Sequence, residues 1–198
     1  MTKMQDKNSL TDRELKVLVQ KASTGRITRA EVEQIASDFS KREQLYSRTY
    51  AIGRSMFPEF IPVLKELAEQ ELDFDAAGMA LNFLIIYHGQ HDLIPNLIAA
   101  IDGKEEDFLD QLRRAAISTA GEFLRENQNA KLLRSILVAL KEHPKSYIRE
   151  RAYRALLRAS GVEHKDMPNP ARDFPEDQFD QTLISKMEVR AKIVSLNS

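Results

Sequence analysis

Cysteine is missing from this sequence, which excludes a disulfide framework, an iron–sulfur cluster and a thiolate nucleophile, and fits a reducing compartment. Tryptophan is missing as well, and glycine and proline are scarce at seven each in 198 residues, so the chain is neither low-complexity nor fibrous. Uninterrupted apolar runs such as Phe83 to Tyr87 are far below the ~20 residues of a membrane-spanning helix. The N-terminal stretch Met1-Thr-Lys-Met-Gln-Asp-Lys-Asn8 has no apolar core of the kind a signal peptide carries. These absences predict a cytoplasmic protein with no membrane association. Strand signals are also poor: valine and isoleucine are scattered, and apolar residues do not alternate with a period of two.

What is present is a helical pattern. Apolar residues recur at intervals of three and four, and the composition, 42% hydrophobic and 30% charged, is that of a folded chain rather than a disordered one. Thr11-Asp-Arg-Glu14 and Thr28-Arg-Ala-Glu31 are capping boxes, in which threonine oxygen and glutamate carboxylate reciprocally satisfy orphan amides at a helix start. The first opens a helix with Leu15, Leu18, Val19 and Ala22 inward, ended by Gly25. The second opens one burying Val32, Ile35, Ala36 and Phe39, continuing bent or broken through Leu45, Tyr46, Tyr50 and Ile52, with Gly53 and Pro58 marking the next break.

From residue 58 onward the chain repeats. Phe60-Ile-Pro-Val-Leu-Lys-Glu-Leu67, Leu93-Ile-Pro-Asn-Leu-Ile-Ala-Ala100 and Leu132-Leu-Arg-Ser-Ile-Leu-Val-Ala139 open alike, 33 and then 39 residues apart, and each precedes a turn-prone stretch and an alanine-rich helix. Ile148-Arg149-Glu-Arg-Ala152-Tyr-Arg-Ala155-Leu156 resembles the second helix of HEAT repeats. Leu112-Arg113, Ala116 and Thr119-Ala120 match it more loosely, and Ala77 with Ala80-Leu81 match only in their small residues. The aspartate that HEAT families often carry before that helix is met at Asp107 and lacking near Pro144-Lys145.

The resemblance covers residues 60–161. It implies an all-α fold, a short right-handed α–α superhelix of HEAT or armadillo type, in a single domain over 1–198. N-terminal helices span 10–54, about three helix pairs 58–161, a loop 162–175 and a helix 176–196 that caps the last pair or, alternatively, docks a partner. In that last helix the expected stripe is Phe179, Leu183, Met187 and Ile193 or Val194.

Motifs for chemistry are lacking. No phosphate-binding glycine loop, serine nucleophile elbow or His-Glu-x-x-His occurs. His88-Gly-Gln-His91 has ligand spacing but no third ligand nearby. The run Glu66, Glu69, Glu71, Asp73, Asp75 lacks the spacing and central glycine of an EF-hand. Neither a metal nor a cofactor is expected. HEAT-like DNA glycosylases use concave-face tryptophans, which this chain lacks, so the resemblance implies a bacterial-type protein-binding adaptor rather than an enzyme.

Charge is segregated. Residues 1–54 carry 11 basic and 7 acidic side chains, 55–110 carry 2 and 12, 111–160 carry 11 and 4, and 161–198 carry 5 and 7. The acidic segment suits an immunity-like inhibitor of a basic partner, and the basic one suits nucleic acid, as alternatives to an adaptor. The sharpest local feature is a basic stripe. Tyr147, Arg151, Arg154 and Arg158 fall three and four apart on one side of a helix, with Arg113 and Arg114 at related positions one repeat earlier. Six residues thus form the expected partner-binding edge; the sequence leaves the oligomeric state open.

Overall fold

The computed structural model describes residues 10–37, 39, 41–70, 73–103, 109–167 and 178–196, and every regular element among them is helical. Two compact units are present, Met1–Gly89 and Gln90–Ser198.

In the first unit, α1 (Asp12–Ser23) and α2 (Arg29–Ala36) begin at the two capping boxes. Glu14 accepts from the Thr11 amide at 2.8 Å, and Glu31 from the Thr28 amide at 2.9 Å. Helix α2 stops at Ala36, leaving Phe39 outside it and half-buried. A 3-10 turn at Arg42–Gln44 then leads into α3 (Leu45–Ser55). Gly53 is not the break that the sequence suggests: α3 continues through it, and the Phe83 ring fills the space that a side chain at that position would need. The helix ends instead at Met56, which adopts a left-handed φ of 61°.

Helix α4 (Ile61–Glu69) follows a 3-10 turn at Pro58–Phe60 and carries Pro62 in its first turn, where a missing N–H costs nothing. Helix α5 (Phe74–Asn82) is capped by Asp73, which accepts from the amides of Asp75 and Ala76. A π-helical turn at Phe83–Tyr87 extends it, closed by the His88 amide on the Phe83 carbonyl at 3.0 Å. Helix α3 packs on α1 and α5, and α4 on α5.

The second unit holds α6 (Ile94–Asp102), α7 (Asp110–Glu126), α8 (Ala130–Glu142), α9 (Ser146–Ala159) and α10 (Gln181–Leu196). Helix α6 repeats the entry to α4: a 3-10 turn at His91–Leu93, then Pro95 in the first turn. Helix α8 uses a different device, the Asn129 side chain accepting from the Leu132 amide at 2.9 Å. On α9 the apolar positions of the segment that resembles a HEAT helix, Ile148, Ala152, Ala155 and Leu156, are all buried. Helices α7 and α9 make a close contact: a Cβ on Gly121 would lie 2.7 Å from the Ala155 Cα and 2.8 Å from its carbonyl oxygen.

Helix α10 packs on α8 and α9. Its buried side chains are Ile184, Met187 and Ala191, preceded by Phe179 stacked 4.4 Å from Tyr153. The stripe read from the sequence is therefore rotated: Leu183 is half-buried, as is Val194, and Ile193 is exposed. The pivot is Arg190, whose guanidinium donates to the carbonyls of Leu124, Asn127 and Ala159. A cation thus sits against the carbonyl-rich C-terminal ends of α7 and α9.

Candidate functional site: an arginine-lined groove between α7 and α9

Two arginines occupy matching places in α7 and α9 and do the same work. Arg113 donates to the carbonyls of Ile101, at 3.1 Å, and Gly103, at the end of α6. Arg149 donates to those of His143 and Pro144, the latter at 2.8 Å, at the end of α8. In each pair the second helix returns a cation to the C-terminus of the first, satisfying carbonyls that the helix itself leaves unpaired. These are the two arginines on which the resemblance of the sequence to HEAT repeats rests.

Arg113, counted among the partner-binding residues on sequence grounds, is 1% exposed. Its guanidinium also contacts Asp110 Oδ1 at 3.2 Å and His143 Nε2 at 3.2 Å, so it is committed to the interior. Asp110 is the centre of this cluster, accepting in addition from Lys145 Nζ at 2.7 Å and from the Tyr147 hydroxyl. Burial raises the Asp110 pKa, but the hydrogen bonds from Lys145 and Tyr147 and the charges of Lys145 and Arg113 outweigh it and hold the carboxyl below the usual range. The same bond to Asp110, with burial, pushes the Tyr147 phenol up. Tyr147 keeps an exposed ring while its hydroxyl faces the cluster.

Asp107, the sequence candidate for the inter-repeat aspartate, lies outside the described residues. Asp110, three residues before Arg113, ties the start of α7 to the start of α9 through Lys145 and Tyr147. That i,i+3 spacing at a helix start was the available signal.

The other three stripe residues come together. Arg151, Arg154 and Arg158 line a groove of about 210 Å³ with Ser118, Glu122 and His164, floored by Ala155. Two of the three are neutralised. Arg154 Nε lies 3.1 Å from Glu150, so that carboxylate is half-buried rather than fully solvated. Arg158 grips both oxygens of Glu122, which raises its pKa.

Arg151 differs. Among the described residues no carboxylate pairs with it, and its hydrogen bond is a long one to Ser118 Oγ at 3.4 Å. Burial, and then the like charges of Arg114 and Arg154, depress its pKa, with Glu150 opposing. Arg114 is itself exposed and, among the described residues, without a carboxylate partner. Ser118 and Glu122 were not singled out in the sequence. Glu122 lies 36 residues from its partner Arg158, beyond any helical spacing rule.

The remaining sequence candidates are placed as follows. The His88 ring bonds the Gly53 backbone and burial lowers its pKa; His91 meets the Phe123 ring edge-on at 5.1 Å. No group of three or more metal-ligating side chains occurs among the described residues. Several carboxylates of the acidic segment are used internally: Asp73 caps α5, Asp102 accepts from Ser135 at 3.0 Å, and Glu59 pairs with Arg29. No helix among the described residues is long and apolar enough to cross a membrane. Comparison with protein-family models, with curated proteins and with solved structures finds no match for this chain.

Proposed function

We propose that this chain is a non-catalytic, HEAT-like helical-repeat module, its helix pairs forming turns of a short right-handed superhelix, and that it binds another protein across α7 and α9. The repeat reading is supported by the matching duties of Arg113 and Arg149, by the matching entries to α4 and α6, and by the close approach of α7 to α9 at Gly121. The binding reading rests on one observation: a groove between two second helices presents a half-buried guanidinium, Arg151, with no carboxylate of its own. Uncompensated, partly desolvated charge is unfavourable within a fold, and a partner's anion offsets that cost.

The test is capture from lysate of the native cell, with and without nuclease treatment, with the full chain and an Arg114→Gln/Arg151→Gln variant of unchanged helicity as paired baits. The expected result is a stoichiometric protein held by the first and lost from the second. Equal retention on both overturns the groove as the binding surface. Material that disappears on nuclease treatment replaces a protein partner with nucleic acid.

A further inference from the structure

The charge balance in the groove specifies what fits there. Four guanidinium groups lie in or beside it, those of Arg114, Arg151, Arg154 and Arg158, and Glu150 and Glu122 take two of them. The uncompensated cations are Arg151, inside, and Arg114, at the side. Ser118 Oγ turns its hydrogen to the Arg114 carbonyl at 2.9 Å, leaving its lone pairs toward Arg151. Most of the Arg151 donor fork is therefore unused by the protein, since guanidinium carries five N–H donors. The volume of about 210 Å³ is below the ~300–1,000 Å³ of pockets for drug-sized ligands.

We infer that the α7/α9 groove is a receptor for one carboxylate side chain of an acidic peptide segment, held bidentately by the Arg151 guanidinium with Arg114 at its flank. The inference rests on the protein-binding reading above and narrows it to a ligand class. Planar guanidinium and planar carboxylate match in a two-hydrogen-bond fork. A nucleic-acid strand fits worse, because its phosphates recur every few ångströms and require a row of unneutralised cations. Here the neighbours along α9 already carry Glu150 and Glu122, which would repel the second and third phosphates. Arg151 therefore acts at a cost to the free protein: three like charges converge, and one long hydrogen bond returns little.

Two measurements test this on the full chain. In the first, arginine Nε–Hε resonances are followed while a glutamate-rich hexapeptide, its glutamine counterpart, a phosphoserine counterpart and oligothymidylate are added at low salt. The glutamate peptide is expected to shift the Arg151 signal saturably and the glutamine peptide to leave it in place. Arg151→Gln should weaken the glutamate peptide by about tenfold or more, while Arg29→Gln leaves its affinity unchanged. Tighter binding of phosphoserine peptide or oligothymidylate overturns the carboxylate assignment. So does a uniform shift of all exposed arginines, or no shift at millimolar peptide. If in that last case the captured protein is still lost from the Arg114→Gln/Arg151→Gln bait, only the ligand class fails and the binding module stands. The second measurement is thermal melting: Arg151→Gln should leave the midpoint unchanged or raise it, whereas a fall of several degrees would make Arg151 a structural residue and overturn its assignment as receptor.

Discussion

Substituting Gly121 by alanine sets two opposing effects against each other, and the geometry decides which prevails. On an isolated helix the change is favourable by about 1 kcal/mol, because alanine has the higher helix propensity and restricts the unfolded chain. In α7 the added methyl would sit 2.7 Å from the Ala155 Cα, 2.8 Å from its carbonyl oxygen and 2.9 Å from its Cβ. Carbon–carbon contacts are optimal at about 3.5–4.0 Å, so α9 must withdraw by roughly 1 Å. Two of the three atoms belong to the α9 backbone, so no rotamer change relieves the clash. Overpacking of this kind costs about 1–3 kcal/mol, and the withdrawal also loosens the apolar contacts of Ile117, Ala152 and Leu156, all fully buried. The net expectation is a loss of about 1–2 kcal/mol, seen as a fall of roughly 2–8 °C in the melting midpoint. Scanning calorimetry or denaturation followed by circular dichroism reads it directly. Adding Ala155→Gly should restore only part of the loss, because Cα and carbonyl remain in place. A midpoint raised by Gly121→Ala would show that helix propensity governs and that α7 and α9 are not in backbone contact.

Three further outcomes follow from single interactions. Asp110 has a depressed pKa, so the unfolded chain takes up its proton more readily than the folded one. Its contribution is present above the ordinary carboxyl value and is lost as pH falls below about 4; Asp110→Asn should flatten the pH dependence of unfolding in that range, and an unchanged profile would refute its role. Arg190→Ala removes three hydrogen bonds to the ends of α7 and α9 and should cost about 1.5–3 kcal/mol, with amide exchange accelerated first in α10. Exchange that rises elsewhere and spares α10 would contradict this. Thr28→Ala removes the α2 capping box and should cost about 1 kcal/mol, checked by chemical denaturation; a neutral result would mean that α2 is fixed by packing alone.

The sequence by itself determined the helices. Both capping boxes, the first-turn prolines at 62 and 95 and the inward face of α9 were legible, because each depends on residues within a turn or two of one another. Grouping Arg151, Arg154 and Arg158 was equally local. Burial at the margin of an apolar arc is not, since it depends on which neighbour covers that margin. Arg113 lies inside because α6 ends, and the α8–α9 turn passes, where its guanidinium reaches. The inward face of α10 turned toward Ile184 and Ala191 because Arg190 is drawn to two helix ends contributed by other parts of the chain. Gly53 read locally as a helix break, yet it and Gly121 each lie within a helix where another element, the Phe83 ring or the α9 backbone, needs the room of a side chain. Likewise, a row of arginines on one helix is legible as a pattern, but which of them remains uncompensated was decided by Glu122 on a different helix. Coulombic pairing acts through space, and only the packing of α7 on α9 brings those charges within reach.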